Sequence, residues 1–306
     1  MAGPALVFDA SSGSVFYAED ADRSWHPASL TKLMTAYVTF KAIRDGQLTM
    51  KSKVVCSKNA RAQAPSKLGL PLGTTMSLPL ALKALIVKSA NDVAVMLAEK
   101  VAGSEQAFVL QMNAAAQNLG MTRTRFFNPH GLPHAGQVTT ARDMGLLAKA
   151  IIRDFPEHAH LFRMSSVRIG KKKLKSHNSL LRSLPGADGM KTGFICASGF
   201  NIVASATRGN QRLVAVVLGG STARERNARA RELIEHSFET YFWKSLFSQN
   251  NITSMPIDPT APVKPTNFRR HVRVWACGYR PKKKQNVKKK RKRKSKRVQL
   301  IIHPQR

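Results

Sequence analysis

Cysteine and acidic residues are both scarce in this chain of 306 residues. The three cysteines, Cys56, Cys196 and Cys277, are an odd number and form no CxxC pair, so the sequence indicates neither a disulfide framework nor a zinc site. No run of about 18 apolar residues occurs, which excludes a membrane-spanning helix. The opening residues lack the charged and apolar regions of a secretory signal, so we expect no signal peptide in the chain as printed.

The acidic residues are too few to balance the basic ones. Lys and Arg total 50 against 17 Asp and Glu, which gives a net charge of +33. Residues 264–306 contain 18 of the basic residues and no acidic residue. Blocks of like charge repel and stay unfolded, so we expect a folded domain over residues 1–245, a linker over 246–263 and a disordered basic tail over 264–306.

A basic tail attracts anionic partners. Contact with an anionic membrane or wall polymer through residues 264–306 is therefore expected. Aromatic residues that could stack on bases are sparse there, and none lies inside the densest run of charge, so no specific nucleic-acid partner is expected.

Hydrophobic periodicity predicts an α+β domain. Apolar or alternating runs predict strands at residues 5–9, 14–17, 200–207 and 213–218. The spacing of apolar residues predicts helices at residues 31–44, 80–88, 91–102, 105–119, 141–153 and 222–243, with Ser104 capping the fourth and Thr139 or Thr140 the fifth. Strand-rich ends around a helical middle indicate one sheet built from both ends of the domain.

Three short motifs follow one another along the chain. They are SLTK at residues 29–32, SAN at 89–91 and KTG at 191–193. The motifs fit the S-x-x-K, S-x-N and K-T-G patterns of penicillin-binding proteins and serine β-lactamases. Each motif alone is a weak signal, whereas the ordered combination is far rarer by chance, so we interpret the three as parts of one active site.

The first motif supplies a nucleophile and a base. A serine hydroxyl needs a base within hydrogen-bond reach, and three residues along a helix place Lys32 beside Ser29. Lys32 can act only when it is neutral, and burial together with the charge of Lys191 would lower its pKa. The alternative interpretation of the pair is a helix cap and a solvated lysine.

The second motif supplies proton transfer and positioning. We expect Ser89 to relay a proton to the leaving amine, and Asn91 to hold both Lys32 and the amide of the substrate. Both residues lie between two predicted helices, where helix capping is the alternative interpretation.

The third motif supplies substrate binding. On a strand at the edge of a cleft, Lys191 and Thr192 would bind a terminal carboxylate, and Gly193 would allow close approach of the backbone. The backbone N–H groups of Phe194 and Ser29 would then form the oxyanion hole. The alternative is a solvated turn.

Longer segments surround the motifs: PASLTKLMT at residues 27–35, KSAND at 88–92, FNPHGL at 127–132, TARDM at 140–144 and GADGMKTG at 186–193. Over about residues 5–245 the chain resembles the D-alanyl-D-alanine carboxypeptidases, which are low-molecular-weight penicillin-binding proteins of the DD-peptidase and serine β-lactamase superfamily. The resemblance implies a three-layer α+β sandwich, in which helices flank a five-stranded antiparallel sheet, together with a helical subdomain beside the cleft.

The resemblance also implies a function. Ser29 would attack a peptidoglycan pentapeptide ending in D-Ala-D-Ala, the terminal D-Ala would leave, and water would hydrolyse the acyl-enzyme. No metal or other cofactor is implied, and β-lactam antibiotics would act as covalent inhibitors at the same serine. A periplasmic or other extracytoplasmic location in the cell envelope is implied as well.

The sequence departs from the family at Phe194, where many members have His or Tyr. Arg224 either assists carboxylate binding or only begins a helix, and His130 and His134 are interpreted as loop residues. D,D-endopeptidase or transpeptidase activity at the same site remains an alternative. A serine β-lactamase is disfavoured because residues 128–156 lack the usual glutamate, and the last alternative is a polybasic protein that binds membranes or nucleic acid on an inactive scaffold.

Overall fold

The computed structural model describes residues 3–247 and 250–280. Nine strands occur in this part of the chain: β1 (Ala5–Asp9), β2 (Val15–Glu19), β3 (Lys53–Val55), β4 (Thr75–Ser77), β5 (Ser166–Ile169), β6 (Lys172–Lys175), β7 (Ala187–Ile195), β8 (Gly199–Arg208) and β9 (Gln211–Gly220). Nine α-helices occur with them: α1 (Thr31–Arg44), α2 (Lys58–Ala62), α3 (Leu78–Lys83), α4 (Asn91–Ala102), α5 (Glu105–Asn118), α6 (Ala141–Asp154), α7 (Ala159–Arg163), α8 (Ala223–Glu239) and α9 (Tyr241–Phe247).

Five strands form one antiparallel sheet in the order β2-β1-β9-β8-β7. Because β1 pairs with β9, both ends of the domain build the sheet, and the α+β prediction is confirmed. The remaining four strands form two small hairpins, β3 with β4 and β5 with β6. Strand β7 is at the edge of the main sheet, so one side of its backbone is open to a ligand.

Helices cover both faces of the sheet. Side chains alternate along a strand, and in β1 Leu6 and Phe8 belong to the larger apolar cluster, which includes α1, α4 and α6. Ala5 and Val7 point the other way, into a smaller cluster that includes α8. The result is the expected three-layer sandwich. None of the helices in residues 3–247 and 250–280 combines the length and apolar character needed to cross a bilayer.

The helix ends agree with their predicted capping residues. Ser104 accepts a hydrogen bond from the N–H of Ala107, at 3.1 Å, and Thr140 caps α6 in the same way.

Two predicted helices are divided: residues 222–243 break at Thr240 between α8 and α9, and residues 80–88 change after α3 into a π-helical turn, Ala84–Lys88. That turn ends immediately before Ser89.

Residues 250–280, here called the C-terminal segment, pack against the domain. Ile252, Phe268 and Val272 are buried in the larger apolar cluster. Arg142, paired with Asp22 through contacts of 2.6 and 2.8 Å, also donates to the carbonyl oxygens of residues 255 and 256. The predicted boundaries at residues 245 and 263 are therefore wrong for this segment, while residues 281–306 of the predicted tail lie outside the described residues.

A disulfide closes the C-terminal segment onto the sheet. Cys196, in the turn after β7, is bonded to Cys277 across a sequence separation of 81 residues, and Cys56 is left free and buried. The sequence did not predict this disulfide, because three cysteines are an odd number and their spacing does not indicate which two are bonded. In the chain-entropy account, a loop of this length stabilises the folded state by roughly 4 to 5 kcal/mol.

Candidate active site

A cleft of about 410 Å³ lies between the open edge of β7 and the helical part of the domain. All three predicted motifs reach it. Six of the eight predicted site residues line the cleft, namely Ser29, Ser89, Asn91, Thr192, Gly193 and Phe194. The other two, Lys32 and Lys191, are buried directly behind it.

Ser29 and Lys32 are held at the beginning of α1. Ser29 lies in a short 3-10 turn, Ala28–Leu30, and Lys32 lies in the first turn of the helix that follows. The distance from Lys32 Nζ to Ser29 Oγ is 3.0 Å, as the three-residue spacing predicts. Lys32 is completely buried, so the alternative of a solvated lysine is wrong.

The surroundings of Lys32 favour a neutral amine. Burial lowers the pKa of Lys32 well below its ordinary value, the charge of Lys191 lowers it further, and Asp92 opposes the shift. Nζ contacts Asn91 Oδ1 at 2.7 Å and the carbonyl oxygen of His130 at 2.5 Å. A neutral amine has two N–H groups, which these two acceptors use, and its lone pair is then left for the hydroxyl of Ser29.

Asn91 and Ser89 occupy fixed positions around this pair. Asn91 donates through Nδ2 to the carbonyl oxygen of Ala64 at 2.8 Å, so its Oδ1 faces Lys32. Ser89 has a φ of 60°, in the left-handed region that is strained for residues other than glycine. Its hydroxyl accepts a hydrogen bond from Lys191 Nζ at 3.0 Å.

Strand β7 brings the third motif against the turn that carries Ser29. Lys191 is buried, and burial together with the nearby charge of Arg226 lowers its pKa to about 7. At Gly193, a Cβ atom would lie 2.8 Å from the carbonyl oxygen of Pro27 and 3.1 Å from the amide nitrogen of Ser29. A side chain at this position would push β7 away from the turn that carries Ser29.

Several residues at the site were not predicted, among them Arg226, His177 and His130. Arg226, in the first turns of α8, is buried and lines the cleft, and burial lowers its pKa to about 10. His177 also lines the cleft. The carbonyl oxygen of His130 accepts a hydrogen bond from Lys32 Nζ. Arg224, which the sequence suggested for carboxylate binding, is exposed and lines a separate pocket. Arg224 and Arg226 are two positions apart and so lie on different faces of α8, and Arg226 shares its face with the buried Ala230 and Ile234, four and eight residues further on.

A family model described as D-alanyl-D-alanine carboxypeptidase matches residues 1–222. The chain belongs to this family. Among its curated relatives are D-alanyl-D-alanine carboxypeptidase DacC of Escherichia coli, 38% identical over 77% of this chain, and DacF of Bacillus subtilis, 34% identical over 80% of this chain. The matched region spans 61% and 64% of those two proteins, so the chain corresponds to about three fifths of their length.

Solved structures of this carboxypeptidase family have the same fold. Penicillin binding protein 5 of Haemophilus influenzae matches with a TM-score of 0.75 and 36% identity, over 78% of this chain and 71% of that protein. A penicillin-binding protein of Listeria monocytogenes, solved in its ampicillin bound form, matches with a TM-score of 0.71 and 32% identity, over 78% of this chain and 97% of that one.

Proposed function

We propose that this member of the carboxypeptidase family is a serine-type D-Ala-D-Ala carboxypeptidase, with Ser29 as nucleophile and Lys32 as its base. The observation that carries the proposal is the buried amine of Lys32, 3.0 Å from the hydroxyl of Ser29. Its two other contacts are both acceptors, which favours a lone pair directed at Ser29. This arrangement also argues against an inactive scaffold.

Acylation begins when the Ser29 hydroxyl gives its proton to Lys32 and its oxygen attacks the carbonyl carbon of the penultimate D-Ala. The backbone N–H groups of Ser29 and Phe194 stabilise the negative charge that develops on the carbonyl oxygen. The C–N bond then breaks, and the proton that Lys32 took from Ser29 passes through Ser89 to the leaving amine, which leaves Lys32 neutral again. Water attacks the ester with Lys32 again as the base, which releases the shortened peptide and restores Ser29.

The substrate is a peptidoglycan stem pentapeptide that ends in D-Ala-D-Ala. Lys191 and the hydroxyl of Thr192 bind its terminal carboxylate, with Arg226 as a further cation in the same cleft. Asn91 is positioned to hold the substrate amide as well as Lys32. No metal or other cofactor takes part in these steps.

We further propose that β-lactams acylate Ser29 and so inhibit the enzyme. The similar penicillin-binding protein of Listeria monocytogenes, solved in its ampicillin bound form, supports this proposal. The protein acts in the periplasm or another extracytoplasmic part of the cell envelope. The proposed substrate is a wall component, and the Cys196–Cys277 disulfide supports this location because such bonds persist in oxidising compartments.

The purified protein is expected to release one D-Ala from each pentapeptide that ends in D-Ala-D-Ala. Free D-Ala is measured by chiral chromatography, and the shortened peptide by mass spectrometry. The matched control is the same peptide ending in D-Ala-L-Ala. It is expected to react at least 100-fold more slowly, because the L-residue places its carboxylate away from Lys191 and Thr192. Equal rates for the two peptides, or no release from either, would contradict the proposal.

We also propose that the basic residues 264–306 contact an anionic membrane or wall polymer. In the described part, Arg269, Arg270 and Arg280 are exposed, which supports this contact. Deletion of residues 281–306 is expected to weaken binding to vesicles containing phosphatidylserine at low salt by at least tenfold, because each basic residue near the surface contributes about 1 kcal/mol. The deletion stops short of residue 280 because the C-terminal segment packs on the domain. Unchanged vesicle binding would contradict membrane contact through residues 281–306.

A further inference from the structure

An apolar surface lies beside the carboxylate-binding residues of the cleft. The ring of Phe194 is 37% exposed and stacks on the ring of Phe200, with 4.3 Å between their centroids. Val274, from the C-terminal segment, lines the same cleft. These three residues are here called the apolar wall.

Val274 is held in place from both directions along the chain. On its N-terminal side, Phe268 is buried against Trp25 and donates its N–H to the carbonyl oxygen of residue 197, at 2.7 Å. Arg273 donates its N–H to the carbonyl oxygen of residue 221, at 3.0 Å. On the C-terminal side, Cys277 is covalently bonded to Cys196. The wall is therefore a fixed part of the cleft.

The apolar wall flanks the carboxylate end of a bound peptide. Alternate residues of a strand share a face, so Thr192 and Phe194 project from the same face of β7, and their partners on β8 are Ile202 and Phe200. Ile202 belongs to the apolar cluster that packs under α8, which also carries Arg226. A carboxylate bound between Thr192 and Arg226 therefore has the apolar wall beside it.

We propose that the apolar wall is a subsite for the side chain of the terminal, carboxylate-bearing D-residue, and that it accepts branched apolar side chains larger than the methyl group of D-alanine. The inference rests on the proposed function and specifies its substrate class. Apolar contact with the wall favours such a side chain, because each added methylene group in an apolar pocket is worth about tenfold or more in kcat/KM. The cleft volume of about 410 Å³ is in the range of ordinary small-ligand sites.

The test compares two acylated peptides that differ only in the last residue, one ending in D-Ala-D-Ala and the other in D-Ala-D-Leu. The released D-residue is quantified for each, and the result is the ratio of kcat/KM for the D-Leu peptide to that for the D-Ala peptide. For the unmodified chain of 306 residues, we expect a ratio of one or more. Substitution Val274→Trp fills the subsite and is expected to lower the ratio about tenfold.

The control is Val263→Trp, the same substitution at an exposed position of the C-terminal segment, which should leave the ratio unchanged. If Val274→Trp does not fold, Val274→Thr keeps the shape of the side chain and is expected to lower the ratio about threefold by removing apolar contact.

Two results would overturn the inference while the proposed function stands: a wild-type ratio below one, or equal ratios for the Val274 and Val263 variants. Failure to hydrolyse either peptide would instead contradict the proposed function. The two proposals are thus distinguished by whether the D-Ala peptide reacts.

Discussion

Replacing Ser29 by alanine is expected to abolish covalent labelling by a fluorescent penicillin and to lower the release of D-Ala by about 10⁴-fold or more. The reason is that Lys32 would have no hydroxyl to activate, and no other hydroxyl is placed 3.0 Å from its amine in the described residues. Intact-protein mass spectrometry after incubation with penicillin measures the effect, because the wild-type chain gains the mass of one inhibitor.

The matched control for this change is Ser183→Ala, at an exposed serine that directly follows a second short 3-10 helix, Ser179–Arg182. That variant is expected to label as the wild type does. A Ser29→Ala protein that still gains one inhibitor would show that another residue is the nucleophile.

Replacing Lys32 by methionine is expected to lower the rate of acylation by about 10²- to 10⁴-fold, the usual contribution of a general base. Methionine has nearly the length of lysine but no amine, so the buried site stays filled while the base is lost. Lys41→Met is the matched control, since Lys41 lies on the same helix in an exposed pair with Asp45. Equal acylation rates for the two variants would exclude Lys32 as the base.

The pH dependence of acylation provides a second measurement on Lys32. Because burial and Lys191 lower the pKa of Lys32, its amine is neutral at a lower pH than an ordinary lysine. The wild-type rate is therefore expected to persist at neutral pH and to fall as the pH drops through the pKa of Lys32. The Lys32→Met variant should lose this acid limb, whereas Lys41→Met should keep it.

Much of the fold was predictable because its signals are local. Apolar periodicity located α1, α4, α5 and α6 to within one residue, since each helix buries a continuous face. The site was predictable for a different reason. Its motifs place Ser29, Lys32, Ser89, Asn91 and Lys191 in an order that one active site requires, and the structure brings these five residues together.

The remaining features depend on contacts between distant parts of the chain. The Cys196–Cys277 bond joins residues separated by 81 positions, and no spacing rule identifies such a pair among three cysteines. Residues 264–280 look like the start of a charged tail because their apolar residues, such as Phe268 and Val272, follow neither helical nor strand periodicity. They are buried one at a time against surfaces that only the folded domain provides.

The position of the C-terminal segment has a consequence for maturation. A chain emerges from the ribosome with its N-terminus first, so Ser29, Lys32 and Lys191 are synthesised well before Val274. The side of the cleft that Val274 lines is therefore encoded after all three motifs. That side of the cleft is complete only when the segment is docked on the domain, and the disulfide that fastens the segment forms only under oxidising conditions.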